Sequence, residues 1–128
     1  MIVDSSAIVA IVLREADYEA LLRKMAAAET IAVPAPIVFE TAMVLTIKLG
    51  GDGLARVHEF LREVGASTMA FTDQHASAAY EAYHRYGKGR HPAALNFGDC
   101  LSYAASKVSG HPLLFVGKDF TKTDVVAA

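Results

Sequence analysis

Four acidic residues, Asp4, Glu40, Asp99 and Asp119, stand among apolar or small neighbours rather than in charged runs. Asp4 closes Met1-Ile2-Val3 and precedes the apolar stretch 7–13. Glu40 sits inside Ile37-Val38-Phe39-Glu40-Thr41-Ala42-Met43-Val44-Leu45, and Asp119 follows Leu113-Leu114-Phe115-Val116. Burying a carboxylate costs several kcal/mol unless it is paired or bound to a metal. One shared divalent-cation site explains all four. A carboxylate set without cysteine ligands suits a hard cation, Mg²⁺ or Mn²⁺, rather than zinc. Such a cation activates water and stabilises charge on a phosphate in flight, so the chemistry indicated is phosphodiester hydrolysis.

The four acids differ in how much else explains them. On a helix, the neighbours of Glu40 at three and four residues are Pro36, Ile37, Met43 and Val44, all apolar. Glu40 therefore has no basic partner on its own helix. Asp99 points away from the stripe Leu101, Ala104, Ala105 and Val108, so an N-terminal, dipole-favoured Asp accounts for it almost as well. Asn96, three residues earlier, is placed to orient it. Asp119 has a rival in Asp124, and its closeness to the strand end ranks it first. The other acids fall on polar helix faces or at caps, such as Asp52 and Asp73.

The elements that must carry these residues alternate. Strands are predicted at 1–4, 30–33, 67–71 and 113–116, with a short fifth near Val125-Val126. Between them, helices are predicted after Ser5 or Ser6, over 16–28, from Pro34 and Pro36 to Leu49, from Asp52 to Val64, from Thr72 or Asp73 to Tyr86, and from Asn96 to Val108. Alternating strands and helices imply a parallel sheet covered on both faces. Such sheets bind ligands at the carboxyl ends of their strands. Asp4 and Asp119 lie at such ends, and Glu40 is on the helix entered from the second strand. Asp99 joins them only if its helix starts at that same edge.

The chain of 128 residues reads as one domain over 1–128, and 53% hydrophobic content supports a core. Its net charge of −2 gives no global attraction to nucleic acid, so any such binding rests on local basic residues. Arg85, Lys88, Arg90 and His91 precede the Asp99 helix, and Lys118 and Lys122 flank Asp119. These could hold a nucleic-acid backbone, although a solvated loop is the default for such a run. Tyr83 and Tyr86 could stack on bases, with core packing the alternative for at least one. The five histidines form no pair at metal spacing. The single cysteine, Cys100, excludes an internal disulfide and fits a reducing compartment. Without a signal peptide or a membrane-spanning run, the expectation is a soluble cytoplasmic protein.

Four segments together resemble a PIN domain, and more narrowly the VapC-type toxins of bacterial toxin–antitoxin pairs. They are Ile2-Val3-Asp4-Ser5-Ser6-Ala7, the Glu40 helix, Asn96-Phe97-Gly98-Asp99-Cys100, and Leu113-Leu114-Phe115-Val116-Gly117-Lys118-Asp119-Phe120. The resemblance implies a three-layer α/β/α fold around a mainly parallel sheet of four to five strands. It implies an Mg²⁺- or Mn²⁺-dependent endoribonuclease with Asp4, Glu40, Asp99 and Asp119 as its acidic quartet. Ser6 aligns with a hydroxyl that supports the first acid, and Asn96 with a polar residue near the third. A cognate VapB-type antitoxin and a toxin homodimer follow from the same resemblance. Many PIN domains carry Ser or Thr two residues before the fourth acid, where this chain has Gly117. Two rival readings are a catalytically silent RNA- or protein-binding module and an Mg²⁺ phosphotransfer enzyme. The second lacks the paired acids of a DxD start, since Asp4 is followed by Ser5-Ser6.

Overall fold

The computed structural model describes residues 1–128. Four short strands, β1 (Ile2–Val3), β2 (Ala32–Pro34), β3 (Ser67–Met69) and β4 (Leu113–Leu114), form one sheet in the order β3-β2-β1-β4. Every pairing is parallel. The helices are α1 (Ser5–Val12), α2 (Tyr18–Ala26), α3 (Ala35–Leu49), α4 (Gly53–Glu63), α5 (Asp73–Tyr86) and α6 (Phe97–Ser109). A 3-10 turn spans Asp119–Lys122, outside the helices predicted from the sequence.

Successive strand residues point to opposite faces, and the two cores divide accordingly. Val3, Val33 and Leu114 pack with apolar residues of α1, α2, α3 and α4, including Ile8, Leu21, Leu45 and Phe60. Ile2 and Leu113 pack on the other side with α5 and α6 through Ala82, Tyr86, Tyr103 and Ala104, and with Phe120. This is the three-layer arrangement that the resemblance implies. β1 and β4 are buried on both faces, which explains why they read as unbroken apolar runs.

Two details differ from expectation. The fifth strand reduces to one parallel bridge between Leu113 and Ala127. Leu113 donates to Val126, and Ala128 donates back to Leu113, at 2.8 and 3.0 Å. The cap of α1 is Asp4 itself, not Ser5 or Ser6. Its carboxylate accepts from the Ser6 amide at 3.0 Å, so one residue ends β1 and opens α1. No helix is long and apolar enough to cross a membrane.

Candidate metal centre

β1 is a central strand, and its carboxyl end is where the chain delivers Asp4, which is only 4% exposed. Each oxygen of Asp4 accepts a serine hydroxyl. The Ser6 hydroxyl donates to Oδ2 at 2.6 Å, and the Ser102 hydroxyl, from α6, donates to Oδ1 at 2.5 Å. Ser6 Oγ also accepts the Val116 amide at 3.0 Å. Ser6 thus joins the first acid to the loop that leads from β4 to Asp119. Gly117 adopts φ +103° in that loop, a conformation suited to glycine. A side chain there would strain the backbone, and the loop is held instead by the Ser6 hydroxyl at Val116.

Glu40 lies on α3, in its second turn. Its Oε2 is buried and has no hydrogen-bond partner. Burial pushes this carboxyl above its usual range; the nearby Ser5 hydroxyl draws it back in part, and the charges of Asp4 and Asp99 add to the rise. The two residues that open α1 therefore lie beside different acids, Ser5 near Glu40 and Ser6 hydrogen-bonded to Asp4. Gly98, in the first turn of α6, is pressed against the same carboxylate. A Cβ there would stand 2.9 Å from both Cδ and Oε2 of Glu40.

Asp99 is fixed by a reciprocal cap at the start of α6. The Asn96 side chain accepts from the Asp99 amide at 2.9 Å, and Asp99 Oδ2 accepts from the Asn96 amide at 2.8 Å. Burial raises its pKa, the Asn96 amide partly opposes this, and Asp4 and Asp119 push it further up. The helix does start at the Asp4 edge. Asp119 is exposed and opens the 3-10 turn. Asp124 faces other company: it accepts from the Tyr103 hydroxyl at 2.5 Å and pairs with Lys107 and Arg85 at 3.3 and 3.6 Å. The Tyr103 hydrogen bond holds Asp124 below its usual range, with Lys107 and Arg85 assisting.

The charges of Asp4 and Asp99 thus bear on Glu40, and those of Asp4 and Asp119 on Asp99. No three carboxylate, imidazole or thiol groups stand close enough to grip one ion as they are. The donor set nevertheless fits a hard cation: all oxygen, three acids from three separate elements, and one buried oxygen left unpartnered. Two of the histidines are engaged elsewhere, His75 and His91 each accepting a backbone amide through Nδ1. Cys100 is buried filler, its thiol pushed up to about 11 by burial and then by Asp99.

Among the basic residues, Lys88, Arg90 and Lys118 are exposed. Arg90 lies over the Tyr83 ring at 4.8 Å. Arg85 is committed to Asp124 and donates to the Tyr86 hydroxyl at 2.9 Å. Tyr86 belongs to the core, whereas Tyr83 is exposed. Sequence reasoning missed Ser102 and Gly98. Ser102 carried one usable signal, its position one helical turn beyond Asp99.

This fold is that of a known class. The PIN domain family model matches residues 1–126. Ribonuclease VapC36 of Mycobacterium tuberculosis is 44% identical over 126 residues, covering 98% of this chain and 91% of that protein. A ribonuclease VapC of Mycolicibacterium smegmatis is 43% identical over 127 residues, covering 99% and 98%. The crystal structure of VapC20 from Mycobacterium tuberculosis, described as a toxin that cleaves the sarcin-ricin loop, superposes with a TM-score of 0.79 at 18% identity, covering 99% of this chain and 97% of that one. The chain belongs to the PIN-domain family and, within it, to the VapC ribonucleases.

Proposed function

We propose that this protein is a metal-dependent endoribonuclease toxin whose one domain, residues 1–128, is restrained by a VapB-type antitoxin. The observation that carries this reading is the buried, unpartnered Oε2 of Glu40 among the charges of Asp4 and Asp99. A carboxylate left so is a costly arrangement unless a cation completes it. Asp4, Glu40 and Asp99 would hold Mg²⁺ or Mn²⁺, and Asp119 would complete the site. Bound there, the ion would lower the pKa of water and offset charge on the phosphate.

The chain's own residues do the rest. Ser6 and Asn96 fix the directions in which Asp4 and Asp99 present their oxygens. Lys88, Arg90 and Lys118 hold the RNA backbone, with Arg85 contributing less because Asp124 engages it. Cleavage leaves a 5′-phosphate and a 3′-hydroxyl.

Two apolar faces support the partners. Phe39, Met43, Ile47 and Leu54 line a groove of about 430 Å³ between α3 and α4. Tyr80, Tyr83 and Phe97 border a cavity of about 810 Å³ between α5 and α6. Contiguous exposed apolar surface of this kind marks interaction sites, here for the antitoxin and for a second copy in a homodimer. A solved toxin–antitoxin complex from Klebsiella pneumoniae shares the fold, with a TM-score of 0.75 at 12% identity. RNA as substrate and a lone unpaired cysteine are consistent with action in the cytoplasm.

The test is RNA cleavage by antitoxin-free protein. Cleavage is expected with Mg²⁺ or Mn²⁺, to stop with EDTA, and to leave 5′-phosphate ends. RNA that binds but stays intact under all conditions assigns a binding role instead, and cleavage that survives EDTA removes the metal.

A further inference from the structure

Ser102 is fully buried, at 0% exposure, in the middle of α6. Buried hydroxyls on a helix usually return to the carbonyl one turn back. Buried Thr41 does so, donating to Ile37, as do the less buried Thr46, to Ala42, and Ser109, to Ala105. Ser102 does not. Its hydroxyl leaves the helix and donates to Asp4 Oδ1 at 2.5 Å, across 98 positions of sequence.

The consequences follow from acceptor geometry. An ionised carboxylate offers about four acceptor directions. On Asp4, the Ser6 amide and hydroxyl take those of Oδ2, and Ser102 takes one of Oδ1. One direction of Oδ1 remains. Ser102 and Asp99 are three residues apart on α6, hence on neighbouring positions of one helical face. The same face that presents Asp99 is therefore tied to Asp4. Sliding or rotating α6 would break this tie and change the separation of the two acids together.

We infer that Ser102 is a positioning residue for the metal centre: its hydroxyl fixes the free direction of Asp4 Oδ1 and the placement of α6, and so the spacing of Asp4 and Asp99. The inference rests on the metal-dependent reading above. Groups that orient metal ligands in this way typically change metal affinity by about ten- to a hundredfold when removed.

The experiment measures Mn²⁺ affinity by electron paramagnetic resonance, with thermal melts and kcat and KM for RNA cleavage on the same samples. Ser102→Ala and Ser102→Cys both lose the strong donor, with volume changes too small for both to fail by packing. Ser106→Ala is the control, since Ser106 is buried in the same helix and donates only to the His111 carbonyl. The Ser102 variants are expected to bind Mn²⁺ about tenfold or more weakly, with kcat reduced at saturating RNA and KM for RNA little changed. Ser106→Ala is expected to melt earlier yet bind Mn²⁺ as the wild type does. Wild-type Mn²⁺ affinity in whichever Ser102 variant folds overturns the inference and leaves the metal site standing. A wild-type protein that binds no Mn²⁺ overturns both.

Discussion

Gly98 stands against the carboxylate of Glu40, leaving no room for a side chain between α6 and α3. Two effects compete on replacement with alanine. Helix propensity favours Gly98→Ala by about 1 kcal/mol. Forcing a methyl against a packed neighbour costs about 1–3 kcal/mol. The second is reduced here, because the atoms met are the far end of a flexible side chain, so the two nearly cancel and the change falls on the position of Glu40. Gly98→Ala is expected to leave stability within about 1 kcal/mol and to abolish most RNA cleavage by displacing Glu40. Urea melts beside a cleavage assay read both. A more stable, fully active variant would mean that Glu40 moves aside freely.

Asp119 and Asp124 separate by what holds them. Asp124→Asn removes exposed ion pairs with Arg85 and Lys107 and weakens the bond to Tyr103. Its expected cost is about 1 kcal/mol of stability, with cleavage retained. Asp119→Asn touches an exposed side chain and should leave stability within about 0.5 kcal/mol. Cleavage should fall about a hundredfold, the scale for losing one group that stabilises transition-state charge. Exchanged phenotypes would make Asp124 the fourth acid.

Stability should depend on pH in a sense opposite to that of a salt-bridged protein. Glu40 and Asp99 both have raised pKa values, so the folded state binds their protons more readily than the unfolded chain. Stability is therefore expected to fall as pH rises from the ordinary carboxylate range through these raised values, and to stay lower above them. Asp124, held low, works the other way: its contribution is present above its ordinary value and is lost as pH falls through its folded one. In EDTA, acidifying from neutrality should first stabilise the protein and then destabilise it. Denaturant melts across pH check this. Glu40→Gln should flatten the first limb, and a wild-type curve that only falls on acidification would show that Glu40 and Asp99 are not strained.

The fold was legible because its signals are local. Asp52 and Asn96 cap α4 and α6, Gly50 ends α3, and the two-face burial of β1 and β4 wrote itself as apolar runs. Glu40 was legible for the same reason, as an acid without a partner in its own helix. Ser102 and the crowding at Gly98 were not, since each depends on how α6 seats against β1 and α3, which no local pattern encodes. Asp119 ranks above Asp124 in the sequence by its closeness to the strand end alone; the partners of Asp124, above all the Tyr103 hydroxyl, are tertiary contacts that no local pattern encodes. The fifth strand failed because one bridge at Leu113 is all that the chain end pairs.

The central claim is that these acids together hold a divalent cation, and the most direct measurement is calorimetric titration of metal-free protein with Mn²⁺. The wild type is expected to bind saturably, with Asp4→Asn and Glu40→Gln each binding about tenfold or more weakly. No binding to the wild type, or unchanged binding in Glu40→Gln, would contradict it.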